Sequence, residues 1–225
     1  MRNKDLREGA ASRRDGHVLI IDDDADIRAS LDSLFRSADL VVTTFEDPSE
    51  FLEARLPDAP TCLVLDVRLR TSDGLEFQKY LLESGINIPV IIITGHGDIP
   101  MTVKGMKAGA VDFLAKPFTD EAMLRAVLDA LDVSRCRADE QQKLGETRLL
   151  YASLSPREKE VMSLVASGLM NKQIAGELDL SLITVKIHRA NVMRKMAAQS
   201  LADLVRLADL LNIRDRTISR YGTRH

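Results

Sequence analysis

The chain has 225 residues, of which 45% are hydrophobic and 29% are charged, and it carries a net charge of −3. This length allows one large domain or two small ones, and the composition excludes a fibrous or a disordered chain. The longest aliphatic run, residues 90–93, is too short for a membrane span, and the basic first fifteen residues lack the apolar core of a signal peptide. We therefore expect a cytoplasmic protein without a membrane partner.

Charge is distributed unevenly along the chain. Residues 16–134 contain 10 Lys and Arg against 21 Asp and Glu, a net charge of −11, whereas residues 135–225 contain 16 against 10, a net charge of +6. This asymmetry predicts two domains with different partners, the partner of the basic domain being polyanionic. A basic solvated surface without such a partner is the alternative.

Five short aliphatic runs alternate with helix-like segments in the first half. The runs cover residues 18–21, 41–44, 62–65, 90–93 and 111–114, and the helix-like segments cover residues 25–37, 48–55, 74–84, 99–108 and 120–131. Three runs are continuously apolar and rich in β-branched residues, which is typical of strands buried on both faces of a parallel sheet. Five such β–α repeats predict a doubly wound α/β domain.

The second half has a helical pattern. Residues 133–150 are charged and lack proline, which favours a helical linker that continues the helix at 120–131, with a flexible linker as the alternative. Ser155-Pro156-Arg157-Glu158 predicts a capping box at the start of a helix. Helices are predicted at residues 155–167, 171–178, 182–196 and 200–211. We therefore divide the chain into an extension (1–15), an α/β domain (16–132), a linker (133–150), an all-α domain (151–212) and a tail (213–225).

Polar residues follow four of the predicted strands. In strand order they are Asp22, Asp23 and Asp24, then Asp66, Thr94 and Lys116. Because the carboxyl ends of parallel strands meet at one edge of the sheet, we expect these side chains to converge on one cleft. Clustered carboxylates need a cation, and oxygen ligands suit Mg²⁺ (or Mn²⁺). Asp66 is then placed to attack a phosphoryl group whose oxygens Thr94 and Lys116 contact.

The sequence offers two other interpretations of Asp66. A single Asp at a strand end is usually a turn or helix-cap residue, but four suitable residue types at four strand ends favour a site. Phosphatases of the haloacid-dehalogenase type use a second Asp two positions after the nucleophile, and here that position is Arg68. The sequence therefore predicts a phosphate acceptor without the acid/base residue needed to turn over an external phosphoester.

Asp22, Asp23, Asp66, Thr94 and Lys116-Pro117 resemble the site of two-component response-regulator receiver domains. The resemblance covers residues 17 to about 132, and residues 93–98 and 108–118 are especially similar to the FixJ branch. It implies a flavodoxin-like sheet with Asp66 as the phosphoacceptor. It also implies a cation bound by Asp22, Asp23, Asp66 and the backbone carbonyl of Arg68, and a cis Lys116-Pro117 bond.

Two further residues refine the resemblance. Arg28 follows Asp22 by six residues, a family spacing that selects Asp22 and Asp23 over Asp24 as ligands. Leu69-Arg70 stand where the family usually has Met-Pro, which puts the rates of phosphorylation and dephosphorylation in doubt but removes no ligand.

Receiver-like switching is implied for Thr94 and Phe113, although Phe113 is equally well explained as a core residue. On phosphorylation, Thr94 moves inward and Phe113 turns into the space that it leaves. The changed surface then forms an active dimer and includes Lys104, Lys107 and Asp112. A local change of charge that biases a two-state element is the physical content of such a switch.

Residues 154–208 resemble the LuxR/NarL-type helix-turn-helix, most specifically in residues 171–175 and 184–191. The resemblance implies that the second of these helices enters the major groove. A solvated basic helix in a generic bundle is the alternative. The predicted DNA-binding residues are Lys172, Thr184, Lys186, Ile187, Arg189, Ala190, Asn191, Arg194 and Lys195. Leu201, Leu204 and Val205 form a stripe on the last helix that is either core or, in part, a dimer contact.

The sequence thus predicts a phosphorylation-dependent DNA-binding transcription factor of the FixJ/NarL family. It is not expected to be an enzyme beyond its own phosphoryl transfer and autodephosphorylation. The implied partners are a sensor histidine kinase, promoter DNA, a second copy of the chain and RNA polymerase. The alternative is a phosphorylation-independent regulator that acts through protein interaction, and the intact acidic pair with Thr94 and Lys116 argues against it.

Overall fold

The structure is a computed structural model that describes residues 16–70, 72–95, 103 and 105–213. The chain divides into two compact units between Ala138 and Asp139, here called the α/β unit and the helical unit. The predicted extension 1–15, half of the predicted helix 99–108 including Lys104, and residues 214–225 of the predicted tail lie outside the described residues. Among the described helices, none has the length and apolarity needed to span a membrane.

A five-stranded parallel sheet forms the centre of the α/β unit. Its strand order is β2-β1-β3-β4-β5, which confirms the predicted flavodoxin-like doubly wound fold. Because β3 lies between β1 and β4, the residues that follow β1 and β3 are neighbours at the carboxyl edge. The strands are β1 His17–Ile21, β2 Val41–Phe45, β3 Thr61–Asp66, β4 Val90–Thr94 and β5 Asp112–Ala115.

Helices cover both faces of the sheet. Each of the first three begins at an aspartate whose side chain accepts a backbone N–H of the first turn. One core cluster includes Val64, Phe35 and Val127, and the other includes Leu65, Phe51 and Phe77, so alternate strand residues are buried on opposite faces. The helices are α1 Ala25–Ser37, α2 Pro48–Glu53, α3 Gly74–Glu83 and α4 Asp120–Ala152.

Helix α4 runs through the segment that the sequence predicts to be a helical linker. The predicted helix 120–131 and the linker residues 133–150 belong to one helix of 33 residues. Beyond residue 131, Ser134 Oγ accepts the N–H of Thr61 (3.0 Å) and Arg137 donates to the carbonyl of Asn87 (3.2 Å). These hydrogen bonds connect the continuation of the helix to the α/β unit.

Short helices packed around one core cluster form most of the helical unit. Val161, Ile174, Val185, Val192 and Leu204 are fully buried in this cluster. The predicted turn between α6 and α7 is present, since Asp179 has a left-handed backbone (φ 52°) and Ser181 caps α7. The helices are α5 Pro156–Ala166, α6 Asn171–Leu178, α7 Leu182–Lys195 and α8 Leu201–Leu210.

The predicted capping box of α5 is confirmed and has an additional partner. Ser155 N–H donates to Glu158 Oε2 (2.8 Å), and Glu158 N–H donates to Ser155 Oγ (3.3 Å). Lys195 Nζ lies 2.7 Å from the same Glu158 oxygen, and Glu158 is only 4% exposed. The ammonium of Lys195 and the N–H of Ser155 lower the pKa of the Glu158 carboxyl. This ion pair therefore joins the start of α5 to the end of α7.

We predict that Glu158→Gln destabilises the helical unit by about 1 kcal/mol at neutral pH, because glutamine retains the cap but loses the ion pair. The carboxylate's stabilisation is present above the pKa of an unfolded glutamate, about 4.3, and is lost as pH falls through the lowered folded value. The difference from wild type should therefore shrink in acid. Urea denaturation of the full chain measures it, with hydrogen exchange of α5 and α7 amides locating the change.

Glu160→Gln is the matched control, because Glu160 forms an exposed pair with Arg157 on the same helix (2.8 Å). That pair should contribute less than about 0.5 kcal/mol. Equal effects of the two substitutions would contradict a special role for the Glu158–Lys195 pair.

Candidate functional site

Lys116 connects the two acidic residues that end β1 and β3. Its Nζ lies 2.8 Å from Asp22 Oδ2 and 2.8 Å from Asp66 Oδ2. Asp22 is fully buried and Asp66 is 7% exposed, so both carboxylates have lost most of their hydration. The N–H of Lys116 donates to the carbonyl of Thr94 (2.7 Å), and the Lys116-Pro117 bond is cis, as the resemblance implies. The structure thus brings together four of the predicted site residues.

Burial and ion pairing act in opposite directions on these groups. Burial raises the pKa of Asp22, and the hydrogen bond from Lys116 only partly opposes this effect. Burial also disfavours the charged form of Lys116, but its hydrogen bonds to the two carboxylates carry the pKa of the ammonium above its ordinary value. Lys116 therefore stays a cation in the place where a phosphoryl group bound to Asp66 would bring further negative charge.

Asp23 completes an acidic cluster that fits a divalent cation. One carboxylate oxygen from each of Asp22, Asp23 and Asp66 lies within 4.8 Å of the others. Hard anionic oxygens at this spacing are the ligands that Mg²⁺ and Mn²⁺ prefer. Asp24 is not in this cluster, because its side chain accepts the N–H groups of Asp26 and Ile27 at the start of α1.

Backbone contacts hold the loop after β3 close to Asp66. Arg68 N–H donates to Asp66 Oδ1 (3.2 Å), and Gly74 N–H donates to the carbonyl of Val67 (2.8 Å). The role of the Arg68 carbonyl as a metal ligand stays a prediction. A Cβ atom at Gly74 would lie 2.1 Å from the carbonyl oxygen of Asp66, so only glycine fits there. Sequence reasoning missed Gly74, although glycine directly after the helix-capping Asp73 was a usable signal.

Arg70 is a second residue near the site that received no role from the sequence. Its Nε lies 3.1 Å from Asp23 Oδ2, and its Nη1 lies 3.9 Å from Glu46 Oε1. In the sequence, Arg70 differed from other residues only in that Leu69-Arg70 replace the Met-Pro usual in the family. Arg28, which the family spacing singled out, donates to the carbonyl oxygen of Asp22 (2.5 Å).

The predicted switch residues lie on neighbouring strands. Thr94 ends β4 and is fully buried, and Phe113 on β5 is half-buried against the core cluster that contains Phe77. Of the predicted dimer residues, Lys107 is exposed, whereas the Asp112 carboxylate accepts the N–H of Phe113 (2.7 Å). Their roles in switching and dimerisation stay predictions.

Helix α7 has one buried face and one exposed, basic face. Val185 and Val192 are fully buried in the core of the helical unit. The exposed residues of the helix include four of the predicted DNA-binding residues, namely Lys186, Ile187, Ala190 and Arg194. A helix presented in this way has the shape and charge that a major groove accepts.

Several other predicted DNA contacts have protein partners of their own. Arg189 donates to Asn171 Oδ1 (2.9 Å), Arg194 donates to Asn191 Oδ1 (3.2 Å), and the hydroxyl of Thr184 bonds to that of Ser181 (2.8 Å). These hydrogen bonds orient the side chains without burying them fully. Among the other predicted contacts, Lys172 is exposed, whereas Lys195 is the partner of Glu158 described above.

The predicted dimer stripe on α8 is only partly exposed. Leu204 is fully buried in the core, so it belongs to the core alternative and is removed from the predicted dimer surface. In that stripe, Leu201 is 46% exposed and Val205 is half-buried.

Ile183 on α7 is an exposed apolar residue that sequence reasoning missed. It is 72% exposed and lies one helical turn before Ile187. An apolar pair at i, i+4 spacing on the polar side of a helix was the available signal.

Comparison with known proteins agrees with both units. The family model for the response regulator receiver domain matches residues 18–128, and the model for bacterial regulatory proteins of the luxR family matches residues 152–208. A parallel sheet with an acidic site and a following helical unit define a receiver domain joined to a DNA-binding domain. The chain belongs to the FixJ/LuxR family of two-component response regulators.

Relatives match over most of their length. Nodulation protein W of Bradyrhizobium diazoefficiens is 53% identical over 196 residues, which cover 87% of this chain and 86% of that one. The response regulator protein TodT of Pseudomonas putida is 46% identical over 200 residues, covering 89% and 88%. The structure of response regulator StyR matches with a TM-score of 0.74 at 45% identity and covers 86% of this chain and 98% of that one. The chain is accordingly a transcriptional response regulator, and the receiver family generally binds Mg²⁺.

We predict that Gly74→Ala destabilises the α/β unit by about 2 kcal/mol or more, because the added methyl overlaps the backbone of Asp66. Gly105→Ala is the matched control, since its Cβ would meet the side chain of Leu75 at an ordinary 3.4 Å. Thermal unfolding of the full chain followed by circular dichroism measures both. A Gly74→Ala variant as stable as Gly105→Ala would contradict the close approach of α3 to Asp66.

Proposed function

We propose that this regulator accepts a phosphoryl group on Asp66 from a sensor histidine kinase, dimerises and binds promoter DNA. The observation that carries the proposal is the bridge from Lys116 to both Asp22 and Asp66 beside the Asp23 carboxylate. Such an arrangement suits a phosphoryl group that adds negative charge at Asp66. The ammonium of Lys116 already lies beside Asp66, and a divalent ion can bind between Asp66 and the carboxylates of Asp22 and Asp23.

The proposed chemistry is a transfer between two nucleophiles. The Asp66 carboxylate attacks phosphorus, a P–O bond forms, the P–N bond to the kinase histidine breaks, and the imidazole leaves with its electron pair. A bound Mg²⁺ would be held by Asp22, Asp23, Asp66 and the carbonyl of Arg68, and it would neutralise charge on the phosphoryl oxygens. Lys116 exchanges its bond to Asp66 for a bond to a phosphoryl oxygen, while Asp22 holds its other side.

The proposed response begins at Thr94, whose hydroxyl moves to contact the phosphoryl group. Phe113 then turns inward, and the surface that includes Lys104, Lys107 and Asp112 becomes competent to form a dimer. Two observations support this response. Thr94 is fully buried. Gly105 has no side chain, and a Cβ atom built on it would lie 3.6 Å from the ring of Phe113. A two-state element biased by a new charge is the expected form of such a switch.

The proposed reader is α7, which enters the major groove with Lys186, Ile187, Ala190 and Arg194 toward the bases. Basic and polar residues around it contact phosphates, which fix the position of the helix without reading sequence. They are Lys172, Thr184, Arg189 and Lys195, and Asn191 is a further DNA contact. The dimer presents two copies of α7 to one promoter. RNA polymerase is the further partner of a transcription factor bound there.

Regulation without phosphorylation, through protein interaction alone, is not favoured. A chain that made no use of phosphorylation would have no need of a buried carboxylate pair held by Lys116. Such a pair is costly to retain, since a buried charge that loses its partner destabilises the fold.

Phosphorylation-dependent DNA binding is tested with wild type and Asp66→Asn. After incubation with Mg²⁺ and acetyl phosphate, wild type should gain an acid-labile phosphoryl group, become dimeric in sedimentation, and bind a selected genomic fragment at least about tenfold more tightly, the dimer adding a second contact surface. Asp66→Asn should change in none of these respects. A wild type that is phosphorylated but keeps its DNA affinity would refute control of α7 by Asp66.

Lys186→Ala tests base contact by α7 and should lower affinity for the selected fragment by about 1–3 kcal/mol. Binding to non-specific DNA should fall much less. Lys172→Ala, a substitution at a predicted phosphate contact, should weaken both kinds of binding about equally and reduce the salt dependence. Equal losses from Lys186→Ala on both DNAs would reassign Lys186 to the phosphates.

A further inference from the structure

Arg70 joins the carboxyl ends of three strands. It lies in the loop after β3, four residues beyond Asp66, and its guanidinium contacts Asp23 after β1 (3.1 Å) and approaches Glu46 after β2 (3.9 Å). Its side chain is 71% exposed, so these exposed contacts add little to the stability of the fold. We therefore look for the effect of Arg70 in the properties of the acidic cluster formed by Asp22, Asp23 and Asp66.

Two cations compensate the three clustered carboxylates. Lys116 contacts Asp22 and Asp66, and Arg70 contacts Asp23, so every acid of the cluster has a protein cation beside it. A divalent ion bound to the cluster needs an oxygen of Asp23, and its charge repels the guanidinium that lies against that carboxylate. Since Arg70 is exposed and Lys116 is largely buried, Arg70 is the cation that can move away.

We propose that Arg70 is an internal competitor of the divalent cation, which must displace it from Asp23 in order to bind. Arg70 then sets the concentration at which the site fills, and through it the concentration at which Asp66 can be phosphorylated. The inference rests on the proposed function in one respect, namely that the acidic cluster is a cation site. A unit charge about 6 Å from a divalent ion weakens its binding by about three- to tenfold at low ionic strength, and salt screens this effect.

The experiment measures binding of Mn²⁺ to the full chain by the electron paramagnetic resonance signal of the free ion, without a phosphodonor. Arg70→Ala should bind Mn²⁺ about three- to tenfold more tightly than wild type at low ionic strength, with the difference nearly gone at about 1 M salt. Arg70→Lys, which keeps the charge, should remain within about twofold of wild type. Thermal unfolding verifies that each variant is folded.

Lys79→Ala is the matched control. Lys79 belongs to the same unit, its side chain is 69% exposed, and it pairs with Glu83 away from the acidic cluster. This variant should bind Mn²⁺ as wild type does. Equal or weaker binding by Arg70→Ala, or an equal gain from Lys79→Ala, would overturn the proposal. If wild type and Arg70→Ala both failed to bind Mn²⁺, the cation site itself would be refuted, and the inference with it.

Discussion

The ammonium group of Lys116, 2.8 Å from both Asp22 and Asp66, is the interaction on which the receiver site depends. Asp22 is fully buried, and a buried carboxylate without a cation would be strongly destabilising. The sheet makes the contact possible, because β1 and β3 are neighbours and Lys116 follows β5 with its backbone bonded to the end of β4. Fold and chemistry are therefore linked, because the order of the strands brings the acids together and Lys116 places a positive charge between them.

The two units use charge in different ways. In the α/β unit, three carboxylates cluster at strand ends with Lys116 and Arg70 beside them. In the helical unit, α7 presents Lys186 and Arg194 on its exposed side, where a polyanion can reach them. Lys195, at the end of α7, also pairs with Glu158 and so joins two helices.

The sequence predicted the strands, the sheet class, the capping box and the acidic site well, because apolar runs and strand-end residues are local signals. It favoured a helix through the linker because residues 133–150 lack proline, and α4 does continue to Ala152, but composition alone left a flexible linker open. It left Leu204 open between core and dimer contact, because a stripe on a helix does not reveal which of its residues the core covers. Arg70 received no role, since its contacts with Asp23 and Glu46 join residues far apart in sequence, which only the folded sheet brings together.

The most direct test of the account is to locate the phosphoryl group on the chain. An aspartyl phosphate formed with acetyl phosphate and Mg²⁺ is reduced by borohydride to homoserine, which mass spectrometry of the peptides can place at a single residue. The account predicts homoserine at residue 66 alone, and none when Mg²⁺ is removed by a chelator. Homoserine at residue 22 or 23, or an unmodified Asp66 under conditions in which the chain is phosphorylated, would contradict it.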